Sequence, residues 1–102
     1  MQLETVKQAE REDMRLAILQ IIYADVSYSV QGLQTLVEAL KATGLNTPKD
    51  EVRRAVLYLQ KKGLIVATGT TELYARLTAE GIDLCEGNYP CPAGISSLGE
   101  GR

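Results

Sequence analysis

Residues Thr47–Ile65, TPKDEVRRAVLYLQKKGLI, decide how the rest of the chain is read. Thr47 is placed to cap a helix, Pro48 suits a first helical position, and Asp50 follows the cap by three residues. At 100° per residue, Val52, Ala55, Val56 and Leu59 fall on one face, with Pro48 alongside. The opposite face carries Asp50, Arg54, Leu57 and Lys61, flanked by Lys49, Arg53 and Tyr58. Gly63 is a helix stop, and the apolar run Leu64–Ala67 that follows reads as a strand. The stretch predicts an amphipathic helix over about 48–62 that turns at once into a sheet.

The neighbouring text has the same punctuation. Upstream, the turn Gly44-Leu45-Asn46-Thr47 separates this helix from another, predicted over about 30–43. Leu33, Leu36, Val37 and Leu40 give its i, i+3, i+4, i+7 stripe, with Ser29 as cap and Gly32 as a slight weakness in its first turn. Leu45 is an apolar residue in a polar turn, placed to plug the gap between the two helices. A first helix over about 11–24 has Met14, Ala17, Ile18, Ile21 and Ile22 at helical spacing, widened by Leu16, Leu19 and Tyr23. So broad an apolar surface belongs either to a helix crossing the middle of a domain or to one with a second interface. Met14, Leu16, Leu19 and Tyr23 are the candidates for a homodimer seam. Residues 1–10 form a polar arm before the domain proper, 11–87.

Downstream, a two-stranded hairpin is predicted within 64–77, turning at Thr68-Gly69-Thr70-Thr71. A last helix over about 78–86 starts at Thr78 as cap and turns Ile82 and Cys85 inward. From residue 88 the text becomes NYPCPAGISSLGEGR, rich in Gly and Pro and without apolar period, which predicts a flexible or partner-dependent tail over 88–102. The fold class that emerges is mainly α with a small β-hairpin: a three-helix core, a two-stranded wing and a C-terminal helix. Val52, Val56 and Leu59 are predicted to pack on Leu33, Leu36 and Leu40, with Ile18 and Ile21 completing the core.

Composition removes several function classes. A chain of 102 residues holds one domain with a modest core, built here from aliphatic side chains because there is no Phe or Trp. No apolar run approaches the roughly 18 residues of a membrane span, and the polar start MQLETVKQAERED is unlike a secretory signal, so a cytoplasmic location is expected. Two cysteines, Cys85 and Cys91, make no disulfide framework. The absence of His and of any CxxC pair argues against a metal site or other cofactor, and removes the commonest general base. With no phosphate loop and no nucleophile elbow, a non-enzymatic protein is expected.

Helix, turn, helix and hairpin in this order resemble the winged helix-turn-helix superfamily over residues 11–87. VRRAVLYLQKKGLI resembles the recognition helix and first wing strand of transcriptional regulators of the ArsR and MarR type, and YARLTAEGIDL resembles their second wing strand and following helix. The succession REDMRLAILQIIYADVSYSV, LQTLVEALKATGL, DEVRRAVLYLQKKGLI and LTAEGIDLCEG is similar to small proteins of Mu-like phages and prophages. The resemblance to the phage proteins implies a fold and a phage origin and brings no activity with it; the winged-helix resemblance implies a module that binds double-stranded DNA, expected to act in transcriptional regulation or phage genome processing. It departs from ArsR-type metal sensors, because no paired-cysteine motif occurs in 47–65. It departs from MarR-type regulators in the wing tip, TGTT, which has no basic residue.

Charge sharpens the choice of partner. The chain is net −2, yet Lys49, Arg53, Arg54, Lys61 and Lys62 outnumber Asp50 and Glu51 by three in the 48–62 helix. Lys49, Arg53, Arg54 and Lys61 are therefore the candidate DNA-binding residues, the arginines because a guanidinium grips guanine or phosphate with two hydrogen bonds. The bland alternative is a solvated helix face whose last lysines complement the helix C-terminus. Leu57 and Tyr58, apolar on or beside the outward face, fit a second reading: a protein-interaction adaptor serving phage replication or assembly.

Overall fold

The computed structural model describes residues 2–69, 72–88 and 95, with side chains from residue 8 onward. Its order is α1 (Gln2–Ala24), β1 (Ser29–Gln31), α2 (Leu33–Ala42), α3 (Lys49–Lys61), β2 (Ile65–Thr68), β3 (Tyr74–Leu77) and α4 (Ala79–Cys85). The protein is mainly helical, with a small antiparallel sheet in the strand order β1-β3-β2. Among the described residues no helix is long and apolar enough to cross a membrane.

The interior follows from the stripes. Leu33, Leu36, Val37 and Leu40 of α2 meet Val52, Ala55, Val56 and Leu59 of α3, all buried. Each large aliphatic side chain removed from water in this way contributes about 1.5–3 kcal/mol before entropy is counted. α1 runs through the middle, touching α2, α3, α4, β1 and β3. Its central position is why apolar residues surround so much of it. Ile18, Leu19 and Ile22 are fully buried, whereas Ile21, expected in the core, is half-buried. Leu45 packs against the core between α2 and α3, as its place in the turn predicts.

α2 and α3 end by the same device. Gly44 donates to the Lys41 carbonyl and Leu45 to Leu40, while Gly63 donates to Gln60 and Leu64 to Leu59. These paired bonds satisfy the last carbonyls, and they need the left-handed backbone that Gly44 (φ 93°) and Gly63 (φ 78°) adopt. The apolar residue after each glycine then tucks inward. At the far end, the Thr78 hydroxyl caps α4 by accepting from the Gly81 N–H at 3.1 Å, and it donates to the Gly63 carbonyl at 2.6 Å. α4 is thus tied to the α3–β2 junction.

Several expectations are corrected. α1 begins at Gln2, earlier than the expected start near residue 11. Ser29 does not cap α2 and Val30 does not begin it: Ser29–Gln31 is a strand paired with β3 in the register Ser29 with Arg76, Val30 with Ala75 and Gln31 with Tyr74. The sheet therefore has three strands where two were expected. Gly32 (φ 95°) stands at the cap position of α2, breaking strand from helix. At α3, Pro48 rather than Thr47 occupies the cap, with no side-chain cap bond, its carbonyl accepting from Glu51 and Val52. In α4 it is Gly81 and Leu84 that are buried, while Ile82 and Cys85 are half-buried. Within the expected tail, the Asn88 N–H donates to the Asp83 carbonyl at 2.8 Å and Ile95 is buried in the core cluster; Cys91 and the other tail residues, like Thr70 and Thr71 of the hairpin tip, lie outside the described residues.

Candidate nucleic-acid interface

α3 separates cleanly into a buried stripe and an uncovered face. Opposite Val52, Ala55, Val56 and Leu59, the side chains of Asp50, Arg53, Arg54, Leu57 and Lys61 are all exposed, and Lys49 joins them in the first turn. All four residues expected to contact DNA are uncovered and share one helix. Arg54, its side chain 77% exposed, lies 4.0 Å from Glu51 one turn earlier, at the outer limit of an ion pair. Such a pair in water is worth little and leaves the guanidinium available.

The flanks of this face differ. On one side Gln60 reaches the sheet, its side-chain oxygen accepting from the Ala67 N–H at 2.5 Å. That bond occupies a backbone donor of the edge strand β2 and fixes the hairpin against α3. On the other side α3 meets α1. The Arg15 guanidinium lies over the Tyr58 ring at 3.7 Å, and the Lys62 ammonium is 5.5 Å from the same ring. Tyr58 is half-buried under these cations, whereas Leu57 beside it is 53% exposed.

Two adjoining clefts open along this second flank. One, about 460 Å³, lies between α1 and the α2–α3 turn, where Glu10, Arg11, Met14, Leu45, Pro48 and Glu51 are among its walls. The other, about 340 Å³, is lined by Arg11, Met14, Arg15, Glu51, Arg54 and Ala55. Sequence reasoning missed Arg11 and Arg15. Their i, i+4 spacing, which puts both on one face of a helix, was the available signal. The packing that brings this face beside α3 was not visible.

The residues considered for a homodimer seam are distributed differently. Met14 and Leu19 are buried within the subunit, Met14 reaching the surface only as a wall of the clefts, and Leu16 is half-buried against the core. Tyr23 is engaged internally: its hydroxyl donates to Glu86 at 3.0 Å and its ring stacks on Tyr28 with centroids 5.4 Å apart. The bond to the Glu86 carboxylate, and then partial desolvation, hold the Tyr23 phenol above its usual range.

Burial, and then the charge of Glu86, push the Cys85 thiol up to about 11, and its sulfur lies 3.7 Å from the Leu19 carbonyl. Cys85 is a neutral packing residue at physiological pH. Among the described residues no group of three or more His, Cys, Asp or Glu is placed to hold a metal ion. No family model, no curated protein and no solved structure matches the chain.

Proposed function

We propose that this chain is a winged-helix module that binds double-stranded DNA through the outward face of α3. The observation that carries this reading is the uncovered basic face of α3 on a chain that is acidic overall. A local cationic surface on an acidic body draws in a polyanion at one place and repels it elsewhere. Arg53 and Arg54 supply forked donors for base edges or phosphates, Lys49 stands in the first turn of the helix that enters the groove, and Lys61 contacts the backbone further along. In this reading β2 and β3 are the wing, and the module, phage-derived by its resemblance to small proteins of Mu-like phages, acts in transcriptional regulation or phage genome processing.

The test is duplex binding by fluorescence anisotropy at two salt concentrations, with the parent protein and Arg53→Ala/Arg54→Ala. The parent is expected to bind more weakly as salt rises, because phosphate contacts release counterions. The double variant is expected to lose at least tenfold in affinity while melting at nearly the parent temperature, since both side chains are exposed. Equal binding by parent and variant would overturn the reading.

A second reading has its own observation. Leu57 stands exposed in the middle of the outward face, and Asp50, two turns earlier on that face, is unfavourable against phosphate. An adaptor that binds another protein through Leu57 accounts for both. Loss of a protein partner on Leu57→Ser, with no duplex binding at low salt, would favour it.

A further inference from the structure

The hairpin offers little charge for phosphate contacts: residues 66–74, VATGTTELY, contain no Lys or Arg and one Glu, and its single cation, the exposed Arg76, stands further along on β3. A cluster of three arginines lies on the other flank. The cleft between α1 and α3 is walled by Arg11, Arg15 and Arg54 against a single carboxylate, Glu51, over an apolar floor of Met14 and Ala55. Arg54 belongs at once to this cleft and to the outward face of α3, so the two surfaces are continuous. Arg15 is held in place over Tyr58, and Arg11, one turn earlier on α1, is exposed. Charged side chains outnumber apolar ones, and the exposed Arg11 and Arg54 leave the cleft open to solvent. It lacks the enclosing apolar walls of a small-molecule pocket and suits a polyanion lying along the surface.

We infer that the α1–α3 cleft is a docking track for one phosphodiester strand of the nucleic acid whose groove α3 enters, with Arg11 as its outermost contact. The inference rests on the DNA reading and extends it to a helix outside the helix-turn-helix unit. Glu10 marks where the track ends: it lines the neighbouring cleft at the α2–α3 turn, where Arg11 alone faces Glu10 and Glu51. The strand therefore leaves α3 by way of Arg54 and Arg11 and does not continue toward Pro48.

The experiment measures the salt dependence of duplex binding for the parent, Arg11→Gln, Arg11→Lys and Lys41→Gln. Lys41 is an exposed cation on α2 that lines neither cleft, so its variant makes the same change in net charge. Arg11→Gln is expected to flatten the log–log salt slope by about 0.9, the value of one phosphate contact, and to weaken two unrelated duplexes equally. Arg11→Lys is expected to keep the parent slope, and Lys41→Gln to leave it unchanged. If the parent binds duplex but Arg11→Gln has the parent slope, or Lys41→Gln flattens it as much, the track is overturned while the α3 reading stands. If the parent binds no duplex at low salt, both fall. Thermal melts accompany each variant; an Arg11→Gln protein that melts well below the parent assigns Arg11 a structural role and overturns the inference.

Discussion

α1 and α3 both pass through the same core, but they divide their surfaces differently. On α3 the large aliphatic side chains are either fully buried (Val52, Val56, Leu59) or plainly exposed (Leu57). On α1 there is a third group, with Leu16 and Ile21 half-buried around fully buried Ile18, Leu19 and Ile22. The difference is geometric. α3 rests on α2, α1 and β2 with one side left to solvent, whereas five elements are arranged around α1. An apolar stripe that spreads around a helix therefore marks a central position before it marks an interface with another molecule. A helix with one sharply bounded stripe has a face to offer.

If that contrast is right, the largest losses come from the two inner stripes and should match. Leu59→Ala on α3 and Ile22→Ala on α1, both with no exposure to solvent, are each expected to cost about 2–5 kcal/mol in denaturant melts. A loss below about 0.5 kcal/mol at either site, the scale of a surface change, would place the wrong face inward for that helix.

The next effect concerns how α3 leaves the core. A Cβ on Gly81 would lie 2.2 Å from the Leu64 carbonyl oxygen and 3.0 Å from the Leu77 side chain. Helix propensity favours alanine there by about 1 kcal/mol, but the neighbour is backbone and cannot step aside. Overpacking is expected to win, so Gly81→Ala should destabilise by about 1–3 kcal/mol. A raised melting temperature would show that the contact of α4 with the α3–β2 junction gives way easily, and that α3's exit is less fixed than the Thr78 bonds imply.

These elements also separate what could be read in the sequence from what could not. The stripe of α3, the glycine stops and the Thr78 cap are local: each depends on residues within a turn or two, and each was legible. β1 was not. A three-residue strand has too short an alternation to detect, and Ser29, the residue pairing with Arg76 far along the chain, looked like a cap because caps and strand ends favour the same side chains. The sequence around Gly32 is that of a slightly weakened first helical turn, because its φ of 95° is set by the strand-to-helix break and not by its neighbours in sequence. In the candidate interface the exposed residues of α3 followed from its stripe, while Arg11 and Arg15 required knowing which face of α1 packs beside α3.

A smaller effect tests the half-buried group on α1 directly. Ile21→Ala should cost about 1 kcal/mol, between the losses at Ile22 and at an exposed site, because part of the side chain already meets solvent. A loss equal to that at Ile22 would mean that Ile21 is covered in solution, as it would be in a dimer through α1, and a concentration-dependent melting temperature would accompany it.

The smallest expected change is at Leu57, where the contrast between the two helices is most exposed to failure. The side chain is 53% exposed on α3, and surface substitutions of this kind usually fall within about 0.5 kcal/mol. Leu57→Ser should therefore melt with the parent. Its consequence lies in binding. A leucine at the centre of a basic face adds no hydrogen bond to a phosphate or a base edge, so its loss should leave duplex affinity within about twofold, well under the 1.4 kcal/mol of a tenfold change. A drop in stability beyond 1 kcal/mol would mean that another element covers Leu57, and α3 would then have no open face to present. A full loss of duplex binding with stability intact would instead put Leu57 in contact with the bases, as apolar side chains meet thymine methyls, and would move the reading residues from the arginine flank to the centre of the helix.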